Sequence, residues 1–179
     1  MRRPLLALLL VALVVVSAAQ AAALDPAKLV LRRGDIPGNG WTFSQGSGYR
    51  TVAQAAQGAP AGTAARFEAA GFQRGYDISW GAKDAFVGST AYVFGTVAGA
   101  KRAFQVYRET APRGTKRIRF TSVGDASLAF RSKQSSRYTA LVWLNGRVLS
   151  ILLTGGLEDK GTLGLARIQA ARTAKAIGR

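Results

Sequence analysis

The runs Tyr138-Thr-Ala-Leu-Val-Trp-Leu144 and Arg147-Val-Leu-Ser-Ile-Leu-Leu153, joined by Asn145-Gly146, restrict the possible folds more than any other part of the chain. Both runs favour extended backbone, and Asn-Gly suits a type I′ turn, which needs positive φ at both central residues. The expectation is a tight antiparallel hairpin turning at Asn145-Gly146. A second hairpin is read upstream, where Tyr76, Ile78 and Trp80 alternate with Asp77 and Ser79 before a strand from Phe86 to Phe94. A helix follows each hairpin. Thr96 can cap the first, in which Val97, Ala100, Phe104, Tyr107 and Ala111 form an apolar stripe opposite Lys101, Arg102, Gln105, Arg108 and Glu109. Pro112 and Gly114 end it. The second runs from about Gly161 to Ile177, with Leu163, Ala166, Ala170, Ala174 and Ile177 on one stripe.

Hairpin then helix therefore occurs twice, over 75–110 and 138–177. Arg117-Ile-Arg-Phe120 adds a short alternating stretch, and Val123-Gly124-Asp125 turns into a strand from Ser127 to Ser132. Near the N-terminus, Asp25-Pro26 caps a brief helix that Gly34 ends, residues 35–48 are irregular and Gly-rich, and Ala64, Phe67 and Ala70 space a helix from Thr63. These elements give an α+β fold in a single domain, with an antiparallel sheet of about five to six strands and the helices packed on one face.

The first 23 residues stand apart. Met1-Arg2-Arg3-Pro4, an apolar run from Leu5 to Val16 and a small-residue end at Ser17–Ala23 have the three parts of a secretory signal peptide. Ala19-x-Ala21 or Ala21-x-Ala23 suits cleavage, leaving residues 24–179 as one globular domain released outside the cytoplasm. The alternative is an uncleaved N-terminal membrane anchor, against which stand the short apolar run and the absence of basic stop-transfer residues after it. The chain has no Cys, which excludes both a lipid-modified cysteine and disulfides.

It also has no His. The Ser-His-Asp and Cys-His nucleophile systems, a His-based zinc site and a neutral-pH proton shuttle are thereby excluded. No cofactor or metal is expected. Lys and Arg number 25 against 9 Asp and Glu, a formal charge of +16, and loss of Arg2 and Arg3 leaves +14. Such a field draws polyanions and acidic membrane surfaces, although an Arg-rich composition selected for solubility gives the same charge. The segment Asp35-Ile36-Pro37 with nearby Trp41, and Val123-Gly124-Asp125-Ala-Ser127 leading into hairpin and helix, resemble uncharacterised secreted domains of high-GC, actinobacterial-type bacteria. That resemblance implies no activity.

Four motifs offer chemistry. Arg33-Gly34-Asp35 matches an adhesion tripeptide but reads better as a helix end and a turn. Gly156 to Thr162 lies between strand and helix like a phosphate loop, yet it lacks the Lys after the second Gly and carries Glu158 and Asp159. Asp77, Asp84, Glu109 and Asp125 are the carboxylates from which an unfamiliar hydrolase would need a facing pair; Asp77 reads first as an Arg partner and Asp125 as a turn residue. Arg113, Lys116, Arg117, Arg119, Arg167, Arg172 and Lys175 form the candidate polyanion-binding set, with Arg117 and Arg119 on one face of a strand. Nucleic acid is a poor match, because the aromatics fall at core spacings. The leading expectation is an exported non-enzymatic domain binding an anionic envelope polymer or membrane surface. The alternatives are a small apolar-ligand-binding module and the carboxylate hydrolase.

Overall fold

A computed structural model describes residues 24–135 and 137–179; the signal peptide read over 1–23 lies outside the described residues. Single-turn 3-10 helices at Pro26–Lys28 and Arg33–Asp35 lead into two short strands, β1 (Thr42–Phe43) and β2 (Gly48–Arg50). Helices α1 (Val52–Ala55) and α2 (Thr63–Ala69) precede the long hairpin β3 (Phe72–Ala82) and β4 (Ala85–Phe94), then α3 (Val97–Glu109). Strands β5 (Thr115–Ile118) and β6 (Ala126–Ser132), hairpin β7 (Tyr138–Asn145) and β8 (Val148–Gly155), and helix α4 (Asp159–Ala176) complete the chain. Both hairpin-helix units stand where the sequence places them.

The sheet is antiparallel and eight-stranded, in the order β1-β3-β4-β8-β7-β6-β5, with β2 also pairing β3. The expected five to six strands were too few. The two additional ones, β1 and β2, hold only two and three residues in the Gly-rich segment read as irregular, too short for any periodicity to show. The two hairpins meet through β4 and β8, whose register runs from Phe86 opposite Gly155 to Val93 opposite Val148.

Helices cover both faces, which corrects the one-face expectation. On one face, α1, α2 and α3 bury Ala55, Phe67, Phe104 and Tyr107 against Tyr92, Phe94, Val142 and Leu149. The Phe67 ring sits 5.5 Å from Phe94 and 5.8 Å from Tyr92, both edge-to-face. On the other face, α4 packs Leu165, Ala166 and Ala170 on Val87, Leu141, Trp143 and Leu152, while Leu29 and Val30 cover Ala91, Val93 and Val148. The physical reason lies in the sequence. Ala140 to Leu144 is apolar at every position instead of alternating, which is how a strand covered on both faces reads.

The turn of β7 and β8 also departs from expectation. Asn145 remains in the ladder opposite Val148, and the two-residue loop is Gly146-Arg147, with Gly146 at φ 56° and no other residue type at positive φ among the described residues. Gly at the first central position is what a type II′ turn requires, whereas type I′ would need Asn145 there. Side chains explain the shift. Trp143 Nε1 donates to Asn145 Oδ1 at 3.1 Å, and the Gly146 amide donates to Asp125 Oδ2 at 2.7 Å.

A buried polar network ties α4 to the sheet. Gln169, wholly buried, accepts from the Ser89 hydroxyl at 2.9 Å and donates to the Thr90 carbonyl at 2.9 Å, while the Leu31 amide donates to Ser89 Oγ at 2.9 Å. Removing the amide leaves buried groups without partners, each costing about 1–3 kcal/mol. Gln169→Ala is therefore expected to destabilise the domain by about 3 kcal/mol in thermal or urea unfolding.

Candidate functional site

The helices leave part of one sheet face bare. On the face that carries α3, successive cross-strand rows run Thr90–Ile151–Val142, then Gly88–Leu153–Ala140–Phe130, then Phe86–Gly155–Tyr138. Helix α3 covers the adjoining end of the face, over Leu149 and Leu144, and stops short of Leu153. Leu153 therefore lies on a central strand yet remains 43% exposed. Alternation alone places it in the core. Its exposure arises because neither the loop after α3 nor α1 reaches it.

The bare face is an open trough. One cavity of about 610 Å³ has Ala140, Val142, Ile151 and Leu153 as its floor, with Ala55 to Ala59 and Tyr107 to Thr115 contributing its walls. A second, of about 200 Å³, shares Thr115, Ala140 and Leu153 and extends past Phe86, Phe130 and Tyr138. Small residues shape the floor. A Cβ on Gly155 would stand 2.6 Å from the Tyr138 ring, and one on Gly88 would stand 3.0 Å from the Phe86 ring, so both rings lie over glycine backbone. The trough falls in the volume range of small-molecule sites, roughly 300–1,000 Å³.

Polar groups gather at the end nearer β2 and β3. Arg50 Nε donates to Asp77 Oδ2 at 2.8 Å, and both side chains are largely covered. The Tyr92 hydroxyl donates to the Ala55 carbonyl at 3.2 Å. Tyr107 is 3% exposed and Thr90 is 9% exposed, both line the cavity, and neither hydroxyl has a hydrogen-bond partner among the described residues. Burial, and secondarily the Asp77 charge, hold the Tyr107 phenol well above its ordinary range; Tyr92 is raised by the same causes. Both tyrosines stay protonated as donors through physiological pH.

The structure separates the candidate carboxylates. Asp77 lines the cavity; Asp84 is exposed at the turn between β3 and β4; Glu109 pairs with Arg66 at 2.7 Å; and Asp125 pairs with Arg179 at 2.8 Å. No two of them share the trough. No group of three or more Asp or Glu that could hold a metal forms among the described residues.

Arg33-Gly34-Asp35 is one 3-10 turn, with Asp35 Oδ2 2.8 Å from Arg172 and the Arg33 guanidinium donating to the Ile36 and Gly38 carbonyls. Burial is the largest single influence on the Asp35 carboxyl and pushes it up, but the hydrogen bonds from Arg172 and the Arg32 amide, together with the charges of both arginines, outweigh it and leave the group below its ordinary 3.8. Arg33 and Gly34 are exposed, but the Arg33 guanidinium and the Asp35 carboxylate are both engaged within the fold. At the other loop, Thr162 is wholly buried and bonded to Thr154 at 2.9 Å, so no phosphate can reach it.

The seven basic candidates do not form one patch. Arg117 donates to the Tyr107 and Arg108 carbonyls at 3.2 and 2.7 Å and lies 5.9 Å from the Phe130 ring centre. Strand β5 ends at Ile118, which leaves Arg119 outside the strand expected to align it with Arg117. Arg167, Arg172 and Lys175 belong to α4 on the opposite face, where Arg172 also donates to the Val30 carbonyl at 2.6 Å. Lys116, Arg119, Arg167 and Lys175 are exposed. Arg113 is exposed too, but it alone of the seven lines the trough, and it has no carboxylate partner among the described residues.

No protein-family model matches the chain, and no curated protein matches it. Among solved structures it is similar in fold to the extracellular domain of PknH from Mycobacterium tuberculosis. The TM-score is 0.52 at 10% sequence identity, over 86% of this chain and 96% of that one.

Proposed function

We propose that this chain is an exported, non-enzymatic domain that binds a small molecule with a substantial apolar part in the trough over β8. The single observation that carries the reading is Leu153, a large aliphatic side chain left exposed on a central strand. Fully burying such a side chain is worth about 1.5–3 kcal/mol, so an occupant that covers Leu153 gains what the fold leaves unused. Two features support export: the leader at residues 1–23 and a fold shared with a domain that is extracellular in its own protein. The absence of His and Cys and the separated carboxylates support a binding role over catalysis. Leu153→Asp should abolish saturable binding of an apolar fluorescent dye such as N-phenyl-1-naphthylamine while leaving the circular dichroism spectrum unchanged. Equal binding by both proteins would contradict the reading.

A second reading keeps an anionic envelope polymer or membrane surface as partner. It is favoured by Lys116, Arg119, Arg167 and Lys175, all exposed and without carboxylate partners among the described residues. Retention on anionic liposomes at low ionic strength, lost as salt rises, is its expected signature. Failure of retention even at low salt would remove it.

A further inference from the structure

The shape and charge of the trough select among small molecules. We propose that its occupant is a single-chain amphiphile with an anionic head, the chain lying along Leu153 and the head held at Arg113; this rests on reading the trough as a ligand site. The chain follows from the floor. Gly88 and Ala140 flank Leu153 in the adjoining strands, Gly155 follows it along β8, and the Phe86 and Tyr138 rings lie over Gly88 and Gly155. The result is a narrow apolar strip that suits a linear hydrocarbon. It continues without a polar break from the larger cavity into the smaller one through Ala140 and Leu153.

The sign of the head follows from the charges. Arg50, Arg113 and Asp77 are the charged side chains lining the larger cavity, and Arg50 is matched to Asp77 at 2.8 Å. The lining therefore carries a net positive charge that belongs to Arg113. An anionic head matches it, a cationic head is repelled, and an uncharged head leaves it without a partner. The hydroxyls of Tyr107 and Thr90, two nearly buried residues, have no partners among the described residues and are further donors to the head oxygens. A long polyanion fits this site poorly, because Arg113 sits beside an apolar floor instead of in a row of cations.

Calorimetric titration of the domain with dodecyl phosphate, monolauroyl glycerol and inorganic phosphate, each amphiphile kept below its micellar concentration, tests the assignment. Dodecyl phosphate is expected to bind about ten-fold or more tightly than monolauroyl glycerol, in line with a charge-assisted hydrogen bond, with the advantage shrinking as salt rises. Arg113→Gln, a change at an exposed loop position, should remove most of that advantage and barely alter monolauroyl glycerol. Inorganic phosphate alone should not bind measurably. Equal affinity for the two amphiphiles, unchanged in the Arg113 variant, would overturn the anionic head while leaving the trough reading intact. Phosphate binding as tightly as dodecyl phosphate would overturn the acyl chain. Failure of both amphiphiles would overturn the proposal together with the ligand-site reading beneath it.

Discussion

The pairing of β4 with β8 is the constraint on which the rest of the structure depends. Each strand belongs to a different hairpin-helix unit, and their ladder from Phe86 to Val93 against Val148 to Gly155 joins the two units into one sheet. Each strand then has neighbours on both edges, and both carry apolar side chains toward both faces, where helices cover most of them. The first unit supplies α3 for one face and the second supplies α4 for the other. Gln169 reaches from α4 to Ser89 and to the Thr90 carbonyl on β4, linking the second unit to the first through buried hydrogen bonds.

The candidate site is a consequence of the same arrangement. Antiparallel neighbours run in opposite directions, so a helix leaving the end of β4 covers the start of β8 and not its end. Leu149 lies beneath α3, whereas Leu153, four residues further along the same face, does not. Polar groups then border the bare strip without filling it. Arg50 pairs with Asp77 through Oδ2 while Asp77 Oδ1 stays buried without a partner, and Tyr107, Thr90 and Arg113 retain side-chain hydrogen-bonding capacity unused among the described residues.

Most of the fold was legible in local pattern. Strict alternation at Tyr76–Trp80 marked β3, and the stripe of Ala100, Phe104 and Tyr107 marked α3. The continuous apolar run Ala140–Leu144 already carried the information that both faces are covered. The loop of the last hairpin was not legible, because Asn145 stays in the strand through contacts with Trp143 and a Gly146 amide held by Asp125, more than twenty residues distant. The site was less legible still. Asp77 could be read as an Arg partner, but nothing local in the sequence distinguishes a covered Leu149 from an uncovered Leu153. Of the basic residues, Arg113 is set apart only by the cavity that the fold places beside it.

The central claim is that the bare strip over β8 is where a ligand lies, and intermolecular nuclear Overhauser effects measure this most directly. With dodecyl phosphate bound, the account predicts contacts from the chain protons to the methyl groups of Leu153, Ile151 and Ala140. Contacts instead to Trp41 and Phe43, beside the separate surface depression that includes Arg32 and Arg33, would contradict it.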